Sequence, residues 1–118
     1  MSTFKVRAML IHPEHRERRV DAEMLVDTGS SYILLPPELV AHLGLALPYE
    51  RRAMLASGER VTYRIGEVRI SLGDEERTTV FMAGPPGSQP LLGAVTLEEF
   101  ALAIDPLGER LVSREVLL

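Results

Sequence analysis

The chain has 118 residues, 46 % hydrophobic and 25 % charged, a composition that suits one globular domain with its own core. A formal net charge of −4 argues against a nucleic acid or an anionic membrane held by bulk electrostatics, and the absence of cysteine excludes disulfides, thiolate nucleophiles, Fe–S clusters and Cys-based zinc sites. The opening Met-Ser-Thr-Phe-Lys-Val-Arg lacks the apolar run of a signal peptide and no stretch nears membrane-spanning length, so a cytoplasmic protein without a membrane partner is expected.

Residues 3–11 alternate, with Phe4, Val6, Ala8 and Leu10 set against Lys5, Arg7 and Met9, and read as a strand. A polar turn, His12-Pro13-Glu14-His15, leads to a second strand at 20–26 that makes a hairpin with the first. Arg16, Arg18 and Arg19 are interleaved with Glu14, Glu17 and Asp21, which describes a solvated loop rather than a basic interface. His12 and His15 have a spacing open to a metal, but beside a proline in an Arg-rich loop they read as a surface turn; no metal and no cofactor is expected. Residues 31–35 form a short apolar strand ended by Pro36-Pro37. A short helix follows, with Pro37 at its first position and Gly44 closing it; His42 sits on it as a partly exposed residue.

The chain then turns β-rich. Residues 51–56 and 61–65 flank a hairpin tip at Ser57-Gly58-Glu59-Arg60, residues 66–72 continue as strand, and 78–82 run back after Gly73-Asp74-Glu75-Glu76. Leu91-Leu92-Gly93 is a short apolar stretch. Thr96-Leu97-Glu98-Glu99 has the Thr-x-x-Glu spacing of a capping box and predicts a helix starting at Thr96, with Glu99 capping and Glu98 on a solvent face. Two last strands are expected at 100–104 and 110–117, around Asp105-Pro106-Leu107-Gly108. Met9, Met24, Met54 and Met82 read as core filler. The fold class is all-β with one or two short helices, one domain over 1–118. A weak internal symmetry places an apolar strand, a Gly turn and a short helix at 25–43 and again at 91–102.

The chemistry concentrates at Met24-Leu25-Val26-Asp27-Thr28-Gly29-Ser30-Ser31, where an apolar strand ends in a carboxylate. An aspartate is rarely left in an interior without partners. Asp-Thr-Gly alone is an ordinary turn, since Asp caps and Gly supplies positive φ. Together with the hairpin, Leu91-Leu92-Gly93 and the helix after it, in this order, it resembles the retropepsin-type aspartic proteases, and more narrowly their single-domain bacterial members. The resemblance spans nearly the whole chain. It implies a closed β-barrel, the half of an acid protease, in which two like-charged carboxylates share one proton and titrate as a pair.

This chain supplies one such Asp, and Asp105 is followed by Pro-Leu-Gly. The resemblance therefore implies a C2 homodimer acting on a peptide or protein substrate, with Asp27 of each subunit activating a water. It further implies that Thr28 bonds across the dimer axis, that the Gly29 N–H approaches the carboxylate, and that the Ser30 hydroxyl reaches its outer oxygen. Leu92 and Gly93 then pack beneath the turn, and the hairpin at Ala56, Ser57, Gly58 and Glu59 closes over substrate as a flap. Retroviral members pair an Arg after the second Gly with an acid two places after Asp-Thr-Gly; here those positions are Ala94 and Ser31, so the dimer must be held differently. Leu111, Val112, Val116, Leu117 and Leu118 are candidates to pair with a partner's N-terminal strand. Tyr32 is open to a pocket wall or the core. The rival class is a dimerisation or peptide-binding module of the same fold without useful turnover, and a third possibility is a protease dedicated to one partner or to its own precursor.

Overall fold

The computed structural model describes residues 4–116 and 118. Alternation builds the first hairpin as expected: β1 (Lys5–Ile11) pairs antiparallel with β2 (Arg19–Val26), from Lys5 opposite Leu25 to Ile11 opposite Arg19. Thr3 lies outside the described residues. The loop between them corrects one expectation. His12 is buried, at 8 % exposure, and its Nδ1 accepts the backbone N–H groups of Glu14 (3.0 Å) and His15 (3.2 Å). It is thus an internal cap of its own turn. Among the described residues no group of His, Asp and Glu is placed to hold a metal ion.

β3 (Ile33–Leu35) leads into α1 (Pro37–Leu43), which has proline in its first turn and ends at Gly44, with φ 68°. β4 (Tyr49–Met54), β5 (Arg60–Leu72) and β6 (Glu75–Ala83) follow as a meander. β5 is one continuous strand: its inner part, Ile65 to Leu72, pairs with β6, while its outer part, Arg60 to Arg64, pairs only with β4. Met54 is 64 % exposed on β4, so it is not core filler; Met24 is fully buried.

β7 (Leu91–Leu92) is two residues long but central. It lies parallel to β2, with Leu25 opposite Leu91 and Val26 opposite Leu92, and antiparallel to β3. The order of the main sheet is β1-β2-β7-β3-β6-β5-β4, and β5 also pairs with β1, which closes every strand of this sheet except β4 into a barrel. β4 and the outer half of β5 stand away from that barrel as a two-stranded arm. Inside, Leu10, Met24, Ile33, Leu35, Leu43, Ile70, Phe81 and Leu92 are essentially without solvent exposure. Each such side chain contributes about 1.5–3 kcal/mol by its burial.

The second helix, α2 (Ala94–Glu99), starts two residues before Thr96, and the capping box does not form. Its first N–H groups are satisfied by tertiary partners: Ala94 donates to the Ser30 carbonyl (2.8 Å) and Val95 to the Ser31 carbonyl (2.9 Å). Thr96 is buried inside the helix, and the Glu99 carboxylate accepts instead from the Thr79 hydroxyl at 2.6 Å. The chain ends in a separate two-stranded sheet, β8 (Leu102–Asp105) with β9 (Arg110–Ser113), both shorter than expected. Leu111 is partly buried against the core, and Leu117 lies outside the described residues. β1 is bonded along its length by β2 and at Met9–Ile11 by β5, so only its N-terminal half offers an edge.

Candidate active site

Asp27 follows directly on β2, and its place is set by backbone. Its N–H donates to the Leu92 carbonyl (3.0 Å), and the preceding Leu25 donates to Pro90 (2.9 Å). The parallel β2–β7 pair thus fixes where the strand stops. The chain then turns tightly, the Ser30 N–H returning to the Asp27 carbonyl at 3.1 Å. Within the turn the Gly29 N–H donates to Asp27 Oδ1 at 2.9 Å. A Cβ on Gly29 would sit 3.1 Å from that oxygen, so the bare backbone is what permits the approach.

Gly93 packs under the same loop. A Cβ there would meet the carbonyl oxygens of Tyr32, Ser30 and Ser31 at 2.6, 2.7 and 2.8 Å. Those carbonyls of Ser30 and Ser31 are the ones that cap α2. Leu92, Gly93 and α2 therefore form one base beneath the Asp27 turn. The Ser30 hydroxyl does not reach Asp27. It donates to the Tyr32 carbonyl at 2.8 Å and stiffens the loop after the turn. Thr28 is exposed on the opposite flank, bordering a shallow depression of about 220 Å³ with Leu97, Leu102 and Ile104.

On the other side of the turn lies the largest cleft described, about 600 Å³. Its floor is Gly29, Ser30, Ser31 and Tyr32, with Leu34, Met82 and Leu91 behind them. Its outer wall is the projecting arm, through Arg51, Arg52, Ala53, Met54, Leu55, Ala56 and Tyr63. Tyr32 is a pocket wall, half-buried, and its hydroxyl accepts from Arg51 at 3.4 Å. Of the expected flap residues, Ala56 reaches the cleft. Ser57, Gly58 and Glu59 form the exposed tip, where Gly58 (φ 89°) donates to Leu55 and Leu55 donates to Glu59. The residues missed from the sequence are those of β4. Their only signal was an Arg-Arg pair in an acidic chain, on a strand exposed along most of its length.

Asp105 is occupied elsewhere. Its Oδ1 accepts from the Gly108 and Leu107 N–H groups (both 3.2 Å) and its Oδ2 from Arg110 (3.1 Å). The Gly108 N–H and the Arg110 guanidinium hold its carboxyl below the usual range. It is the hinge of its own turn, not a partner for Asp27.

A closed barrel whose only acid at this turn sits between an apolar-apolar-Gly strand and a projecting arm is the architecture of a retropepsin-like aspartic protease. Residues 16–96 match the model of the aspartyl protease family, and the chain belongs to that family. Solved structures agree on the fold. A retropepsin-like aspartic protease from Rickettsia conorii is similar with a TM-score of 0.62 and 23 % identity, over 89 % of this chain and 78 % of that one. The retroviral protease-like domain of Ddi1 from Leishmania major gives 0.67 at 12 % identity, over 98 % and 91 %. The EIAV protease in complex with the inhibitor HBY-793 gives 0.59 at 16 %, over 98 % and 94 %. No curated protein matches the sequence.

Proposed function

We propose that the chain is a homodimeric aspartic endopeptidase whose catalytic pair is Asp27 from each of two subunits. The observation that carries this is Asp27 itself, oriented by the N–H of Gly29, which lines a cleft walled by a projecting arm. Like charges at close range do not both ionise, so the two carboxyls share one proton. The ionised carboxylate takes a proton from a water between the pair, and that water's oxygen bonds to the carbonyl carbon of the peptide. The protonated carboxyl gives its proton to the carbonyl oxygen. The resulting gem-diol collapses as the C–N bond breaks and the amine nitrogen takes a proton. Gly29 holds the carboxylate, Thr28 bonds across the axis, Leu92 and Gly93 keep the turn from sinking, and the arm with Ala56 to Glu59 closes over the peptide.

A diverse peptide library read by mass spectrometry, from about pH 3.5 to about pH 7.5 and at concentrations that populate a dimer, tests this directly. Cleavage by wild type and none by Asp27→Asn is the expected result. Full activity in Asp27→Asn sinks the proposal. Silence from both, in a protein that is also a monomer, transfers the reading to a binding module of the same fold.

A further inference from the structure

The cleft has a charge opposite to that of the protein. Its lining holds two arginines, Arg51 and Arg52, and no acidic residue among the described residues, in a chain of net charge −4. Four arginines elsewhere are neutralised, Arg16 and Arg69 by Glu76, Arg77 by Glu75 and Arg110 by Asp105, and none of the remaining arginines outside β4 lines the cleft. Arg51 and Arg52 form no salt bridge among the described residues. Arg51 is nevertheless positioned, because its Nη1 donates to the Tyr32 hydroxyl (3.4 Å), and Tyr63 stands opposite it in the β4–β5 register. Four of the five N–H donors of a guanidinium are then still available for a planar, two-pronged acceptor. The surroundings of the pair, Met54, Met82 and Leu91, are apolar and take a side chain without charge.

From this we infer that the cleft selects peptides carrying a carboxylate side chain, Asp or Glu, at the subsite between Tyr32 and β4, with apolar residues flanking it. Arg51 is the specificity-determining residue and Arg52 its auxiliary. The inference rests on the cleft being the substrate cleft of the proposed peptidase and names the class of substrate it takes. A charge-assisted bidentate bond to a guanidinium held against Tyr32 favours a carboxylate over the isosteric amide by about tenfold, and a substrate lysine there is repelled.

The test uses apolar peptides carrying one Glu at each successive position, and the matched set carrying Gln. Binding is read by fluorescence anisotropy on Asp27→Asn protein, and kcat/KM on wild type. Expected is one position at which Glu exceeds Gln about tenfold in both readouts, with the preference gone in Arg51→Gln and turned toward Lys in Arg51→Glu. Both arginines are exposed, so these variants keep the wild-type melting temperature, which serves as the folding control. Equal binding of Glu and Gln peptides, no binding of either, or a preference that survives Arg51→Gln with Arg52→Gln overturns the inference. The two readouts separate it from the proposed activity. Cleavage without acidic preference removes the subsite and leaves the peptidase; an Arg51-dependent acidic preference in binding without cleavage does the reverse.

Discussion

At the scale of single residues, the candidate site depends on atoms that are missing. Gly93 leaves room for three carbonyl oxygens that a Cβ would meet at 2.6–2.8 Å, all of them backbone and none free to swing aside. Gly93→Ala must therefore push the Ser30–Tyr32 segment, and Asp27 with it. A loss of about 1–3 kcal/mol in chemical denaturation, together with loss of cleavage, is expected. An unchanged denaturation midpoint would show that the loop yields. Thr96 is the opposite case. Its hydroxyl is buried with no hydrogen-bond partner among the described residues, so it carries a desolvation cost that nothing offsets. Thr96→Val keeps the shape and removes the cost; stability should rise by about 1 kcal/mol in the same measurement. A fall would mean that the hydroxyl is satisfied in the assembled protein.

At the scale of elements, what was legible in the sequence is what local physics decides. Alternation gave the β1–β2 hairpin, proline and glycine bounded α1, and the strand-end acid with its Thr-Gly marked the turn. What was not legible depends on partners distant in the chain. α2 begins at Ala94 because the Ser30 and Ser31 carbonyls cap it, which no local Thr-x-x-Glu pattern reveals. Ser30 is a local case, its hydroxyl donating to the Tyr32 carbonyl two residues on. Glu76 shows how such distant contacts staple elements. It joins Arg16, in the β1–β2 loop, to Arg69 on β5, and these hydrogen bonds, Arg16 first, pull its carboxyl from 4.5 down to about 2. A carboxyl more acidic when folded adds stability above its unfolded pKa and loses it as pH falls through the folded one. Glu76→Gln should therefore melt lower than wild type at neutral pH. The gap should narrow below about pH 4.5 and close near pH 2. Melting curves offset equally at every pH would mean that the network adds nothing through charge.

At the scale of the whole molecule, the decisive feature is a deficit. The chain brings one carboxylate to the Asp27 turn, and Asp105, which is followed by Pro-Leu-Gly, is held in its own turn by Gly108, Leu107 and Arg110. Under the proposed two-carboxylate mechanism, catalysis is a property of the pair and each subunit supplies half of the catalytic dyad. The face that carries Thr28 also carries Ala94, Leu97, Leu102 and Ile104, with Glu98 and Arg114 beside them. Two consequences separate this arrangement from a self-sufficient monomer. Asp27→Asn removes both apposed carboxyls, which in the wild-type dimer compete for one proton, so the variant should sediment as a dimer at lower concentration than wild type at neutral pH. Mixing is sharper still. When an equal amount of Asp27→Asn chain is added to wild type and the subunits exchange, only about a quarter of the dimers hold two wild-type chains, in about twice the number of dimers. Cleavage should then fall to about half, and continue to fall as the excess grows. If activity stays at the wild-type value however much Asp27→Asn is added, one chain suffices, and the second carboxylate must be sought within it.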